Sequence, residues 1–245
     1  LPAHNLPILI LYKLKMYRVF NLYFTRPYFC GVIKLINCAF FAALSLLASS
    51  CSSYVDDKSK PADVYLVPFE GFDKSFADLM AVRLSKNIGV TVRVSETQPI
   101  PPKAYNSERK QYVGIEFVMD LYKLSTKLPD KTSRTIYIAL LEGSLYDPKA
   151  DFEYLFSTNF AGKYVVVGNR EMRLIHASND EDYELRIYGV DPFSKKEIYE
   201  LRMFKILKRA IGRSYFHYPL SDNPESIMKK SIHSVYDLDA ADIEY

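Results

Sequence analysis

The chain has no tryptophan and three cysteines, Cys30, Cys38 and Cys51, with none beyond position 51. The body of the protein therefore forms no disulfide and no cysteine-bound metal site. No block of like charge occurs. The 32 Lys and Arg stand against 29 Asp and Glu, for a formal net charge of +3, and much of the basic excess lies in the first 34 residues. That balance lacks the basic stripe of a nucleic-acid binder. No G-x-S-x-G is present, so there is no nucleophile elbow, and the phosphate-cradling glycine motifs are missing. No H-E-x-x-H occurs anywhere. There is no internal repeat and no low-complexity segment.

What is present is an ordinary globular composition, 49% hydrophobic and 25% charged, with 20 Tyr and 15 Phe promising an aromatic-rich core. A length of 245 residues allows one large or two small domains. Residue 1 is Leu, and Met16 is a candidate start. Lys34 precedes an uncharged run over 35–48, the size of a signal-peptide core. Ala48, Ser49 and Ser50 then lead into Cys51. Small residues before a cysteine at that place resemble a bacterial lipobox, with Leu47 one place earlier than the preferred leucine. The resemblance implies that Cys51 is lipidated and opens the mature chain. The other reading is a plain transmembrane anchor, but a spanning helix needs ~20 apolar residues, and Asn37 interrupts this run. Residues 1–50 are thus read as the leader, 51–62 as a polar tether, and 63–245 as one domain. Ser52 after the cysteine is no inner-membrane retention signal, which implies the outer membrane.

In the body, 63–69 reads as a buried strand closed by Pro68. Phe76, Leu79, Met80 and Leu84 suggest a helix over 74–86, stopped at Gly89, and 90–94 a second strand. Strand, helix and strand at this spacing form a βαβ unit with parallel strands. Residues 104–112 are expected to enter the next helix, with Asn106 as cap and Ile115, Val118, Met119, Tyr122 and Leu124 as its buried stripe. A central strand follows over 134–141, another over 164–167, and a short one over 185–190. The last long helix spans 198–213. Ser194 and Glu197 form its capping box, and Leu201, Phe204, Leu207 and Ile211 make its apolar face. A further helix is expected from Asp237.

These stretches, in this order, resemble the archaemetzincin branch of the metzincins. The run Ala104-Tyr105-Asn106, Glu108-Arg109, Gln111-Tyr112 is similar to the entry of that family's second helix. Leu145-Tyr146-Asp147-Pro148 and Phe152 to Phe156 are similar to its following segment, with Ser144 and Asp151 as departures. The end of the chain resembles helix, turn, third zinc histidine and Met-turn. The resemblance covers about residues 63–239. It implies an α+β, zincin-like fold: a mixed twisted sheet of four or five strands, two long helices and a small helical C-terminal part. It also implies an edge strand along which a peptide lies, here at 152–156 or 164–167, with the acidic 179–182 loop as a candidate cover.

The resemblance also locates the zinc motif, and finds it replaced. If His217 is the third ligand, Leu207 and Ile211 occupy the i, i+4 pair of the first two. Lys208 then stands at the general base and Ser214 at the glycine. Leucine and isoleucine have no donor atom, and a lysine protonated at neutral pH neither accepts a proton nor tolerates a dication beside it. His176 and His233 match no ligand spacing. Met228 is the Met-turn methionine, a packing residue, and the family's second, cysteine-rich zinc site has no cysteines here. The expected protein is a lipid-anchored, catalytically inactive zincin-like module of the bacterial envelope. It has no cofactor and no nucleic-acid partner, and it binds an extended peptide or an envelope protein. Two alternatives stay open: an active metallopeptidase with a rearranged zinc site, and a purely structural envelope lipoprotein. The leader makes the first testable statement. Cys51→Ala should leave the precursor uncleaved and unlabelled by radioactive fatty acid, and equal labelling of the mutant would reject lipidation.

Overall fold

The computed structural model describes residues 59–150, 152–173 and 195–245, which belong to one compact unit, Asp56–Tyr245. The expectations for the leader, Cys51, the tether up to position 58, Asp151, His176, the 179–182 loop, the 185–190 strand and Ser194 lie outside the described residues.

Strand β1, Ala62–Pro68, is buried on both faces, which is why its sequence is nearly continuous in apolar residues. Helix α1, Lys74–Ile88, starts where Asp73 accepts from the N–H groups of Ser75 and Phe76 at 2.9 and 3.3 Å. It ends at Gly89, whose φ of 72° lies in the left-handed region that a side chain disfavours. Strand β2, Val92–Val94, then pairs parallel to β1, completing the βαβ unit.

The next segment departs from expectation. Residues 104–112 do not enter a helix; Tyr105–Asn106 (β3) and Gln111–Val113 (β4) form a hairpin. The cause is local. The Asn106 side-chain oxygen accepts from the N–H groups of both Glu108 and Arg109, closing an Asx turn instead of a helix. Lys110 then takes φ 55° and returns the chain. After a 3-10 turn at Gly114–Phe117, helix α2 covers only Val118–Lys127. Its buried side is set by Phe117, Leu121 and Ser125, while Ile115, Met119 and Tyr122 of the expected stripe are 49, 60 and 53% exposed. Starting the helix later rotates the apolar period away from the sheet.

Strand β5, Lys131–Leu141, is central, as expected, between β1 and the strand at Tyr164–Gly168. Two-residue β6, Leu145–Tyr146, joins β3 and β4 in a small second sheet. Strand β7, Ser157–Phe160, turns into β8, Tyr164–Gly168, giving the main sheet the order β2-β1-β5-β8-β7. All pairs are parallel except β7 with β8. The expected edge is therefore corrected. Residues 164–167 lie in an interior strand, and 152–156 form a loop joined to the rest by the Leu145–Leu155 bridge. The edge is β7, because β8 has β5 on its other side.

Helix α3, Lys195–Ser214, and the short α4, Val235–Ala240, complete the fold. Helix α4 begins two residues before the expected Asp237, which is instead its third residue. Asp237 closes a capping box with Ser234. The sheet separates two cores. Val64, Leu66, Ile138 and Val167 face α1 and α3, whereas Tyr65, Val67, Ala139 and Val166 face α2 and the small sheet. This is the expected mixed sheet of five strands in an α+β frame.

The α1 cap can be tested. The Ser75 hydroxyl and the two N–H groups hold the Asp73 carboxyl below its usual range. Asp73→Ala should cost about 1 kcal/mol in urea unfolding at neutral pH. The folded carboxyl titrates below its unfolded value of about 3.9, so the contribution is present above that pH and is lost as pH falls through the folded value. The difference between wild type and mutant should shrink in acid.

Candidate functional site

Helix α3 is the element on which any zincin chemistry would depend. A surface helix carries one apolar stripe, and Leu201, Phe204, Leu207 and Ile211 were expected to supply it. In the structure the helix is buried almost all round. Leu207 and Ile211 are 0% exposed within the core under the sheet, yet Arg202, Lys205, Lys208 and Arg209 are also buried. Four cations out of water need acceptors, and the C-terminal segment provides most of them. The Arg202 guanidinium forms a forked pair with Asp239 of α4, with Nε to Oδ1 at 2.7 Å, and also reaches the Met172 carbonyl. The Lys205 ammonium donates to the carbonyls of Leu238 and Asp239 at 3.0 and 2.9 Å. Arg209 donates to the Ile227 carbonyl at 2.7 Å and to that of Lys230 at 3.4 Å.

Lys208 occupies the expected general-base position and points into protein. Its ammonium donates to the Asn87 side chain at 2.9 Å and lies 3.5 Å from the Glu244 carboxylate. It also sits 4.7 Å from the centre of the Tyr245 ring, whose hydroxyl donates to the Lys208 carbonyl.

The other expected site residues divide into those packed on α3 and those away from it. Ser214 is buried, and its hydroxyl accepts from Asn159 of the edge strand at 2.6 Å, tying the helix end to β7. Met228 is buried, and its sulfur lies 3.1 Å from where a Cβ on Gly212 would stand; the Tyr245 ring comes closer, at 2.5 Å, and leaves no room for one. The methionine expected in the Met-turn is therefore packed against the helix. His217 is exposed and takes φ 57°, where the helix closes through the Tyr218 N–H to the Gly212 carbonyl. His233 stacks against Phe152 at 5.4 Å. Among the described residues no three His, Cys, Asp or Glu side chains are grouped to hold a metal.

A zinc ion in this position does not fit the residues present. Two of the three ligand places carry buried hydrocarbon, the third is a surface histidine, and the general-base place holds a lysine whose ammonium bonds to Asn87. Sequence reasoning missed Asn87, Arg209, Gly212 and Asn159. Of these only Gly212, a glycine inside a helical period, carried a sequence signal.

Beside this helix lies a cleft of about 460 Å³. Its walls are the loop before β7, the Arg209 and Arg213 side of α3, and residues 230–233 after Met228.

Fold and helix placement define an archaemetzincin-like zincin architecture. No family model and no curated protein matches the chain. Three solved structures do. Archaemetzincin from Methanopyrus kandleri has TM-score 0.53 at 20% identity over 77% of this chain and 91% of its own. Archaemetzincin from Archaeoglobus fulgidus, complexed with malonate, has TM-score 0.52 at 18% identity over 74 and 94%. A zinc-dependent peptidase from Methanocorpusculum labreanum has TM-score 0.54 at 16% identity over 74 and 95%. At these identities the likeness establishes the fold.

The buried cations make a pH prediction. Burial lowers Lys205 to about 8, against the opposing attraction of Asp239 and Asp242. Unfolded lysine titrates near about 10.4, so between these values the unfolded chain binds more protons and stability rises with pH. The urea midpoint should increase from about pH 7.5 to about 9, one unit below the midpoint of unfolded tyrosine titration. Lys205→Met should abolish the increase. A wild-type midpoint that does not rise would remove Lys205 as its source.

Proposed function

We propose that this protein is a zincin-fold module without peptidase chemistry, held to the bacterial outer membrane through a lipid on Cys51. In this role it binds an extended segment of another envelope protein without cutting it. The observation that carries the proposal is the pair Leu207 and Ile211, both 0% exposed in the core where the resemblance expects the two helical ligands. A collapsed apolar site is stable without metal, whereas imidazoles there would need one. Lys208, bonded to Asn87, adds a positive charge that would repel a dication.

Strand β7 supports the binding role. Gly168 N–H donates to the Phe156 carbonyl, and Thr158 and Phe160 continue that bonded register with β8. The alternation turns the backbone groups of Ser157 and Asn159 outward. Among the described residues no strand pairs there. Peptide recognition by strand addition uses such an edge and needs no metal.

Elemental analysis of protein purified without chelator should give well below one zinc per chain, and peptidase assays should show no cleavage. About one zinc per chain would overturn the proposal in favour of a rearranged metallopeptidase site. For binding, Ser157→Pro removes one outward donor while leaving the bonds to β8 and the Asn159–Ser214 bond intact, and it should abolish capture of an extended peptide. Circular dichroism checks that the mutant is folded. Val166→Pro is unsuitable, because Val166 is 0% exposed in an interior strand.

A further inference from the structure

Among the four buried cations of α3, Arg209 differs from the rest. Arg202 and Lys208 face the carboxylates of Asp239 and Glu244, and Lys205 lies in the field of Asp239 and Asp242. Arg209 is 8% exposed and donates only to two backbone carbonyls; no carboxylate pairs with it among the described residues. A guanidinium has five N–H donors, and among the described residues it makes these two bonds. Its pKa is lowered to about 10 by burial and by neighbouring Arg213, which leaves it charged at neutral pH. An uncompensated buried charge is costly, and an incoming anion would remove that cost.

Arg209 lines the cleft beside α3, together with Arg213 and Lys230. Among the described residues Glu153 is the one carboxylate on the cleft wall, and Lys230 is also paired with Asp222 at 2.6 Å. The cleft is thus net positive. Its opposite wall carries Phe152 and Tyr154 and ends at Ser157, the first residue of edge strand β7. Ser157 and Asn159 share the sheet face that meets α3, since they pair with Val167 and Val165. In a strand added to β7, every second side chain would point to that face.

We propose that the cleft receives aspartate or glutamate side chains, at alternate positions, from an extended peptide that pairs with β7. This rests on the proposed binding role of that strand. A carboxylate matches the planar fork of a guanidinium with two parallel bonds. The aromatic wall and the shared Ser157 favour a peptide over a free inorganic anion.

The test uses the full-length chain in detergent and two labelled, end-blocked peptides, Val-Glu-Val-Glu-Val and Val-Gln-Val-Gln-Val, followed by fluorescence anisotropy. The glutamate peptide should bind ~10-fold or more tighter. Arg213→Gln, a change at an exposed position, should remove most of that preference while leaving the glutamine peptide unaffected. Arg209→Lys keeps the charge but loses the fork, and should reduce the preference too. Equal binding of the two peptides overturns the acidic specificity and leaves strand pairing standing. Binding of neither peptide overturns both. A preference that survives both substitutions overturns the assignment to Arg209 and Arg213.

Discussion

Four basic side chains out of water on one helix constrain everything at the C-terminal end of this fold. Arg202, Lys205, Lys208 and Arg209 follow one another at helical spacing, and a buried ion is tolerated only when hydrogen bonds replace its hydration. The acceptors include the carboxylate and last carbonyls of α4, the Met172, Ile227 and Lys230 carbonyls, Asn87 of α1, and Glu244. Helix α4 ends with its carbonyls toward Lys205, the pole of the helix dipole that favours a cation. The C-terminal segment is therefore held by polar bonds as well as by apolar packing.

The same helix is joined to its surroundings by side-chain contacts. Ser214 bonds to Asn159 of the edge strand, Met228 lies against Gly212, and Tyr245 bonds to the Lys208 carbonyl. Hydrocarbon at Leu207 and Ile211 contributes burial on the order of 1.5–3 kcal/mol per side chain. The cleft beside the helix remains, and with it the unpaired outer edge of β7 among the described residues.

The regular parts of the fold were legible because their signals are local. The βαβ unit, the helix begun at Lys74 and stopped at Gly89, and the central strand all follow from local periods and punctuation. The failures came where two local signals competed. Asn106 can cap a helix or close an Asx turn, and only Lys110 at positive φ and the pairing of β4 with β6 decided for the hairpin. Likewise, 164–167 read as a strand, but its place between β5 and β7 is a property of the whole sheet.

By itself the sequence determined which chemistries have donors. Leu207 and Ile211 cannot ligate a metal in any fold, and no cysteine beyond position 51 can supply a replacement. It also determined the order of the main elements, since hydrophobic period and capping act within a single segment. Only the tertiary structure decided that Lys205, Lys208 and Arg209 are buried, because their charges predict solvent until distant carbonyls and carboxylates close over them. It likewise decided that Arg209 meets no carboxylate and that the edge is β7, since each depends on what residues far along the chain bring into contact.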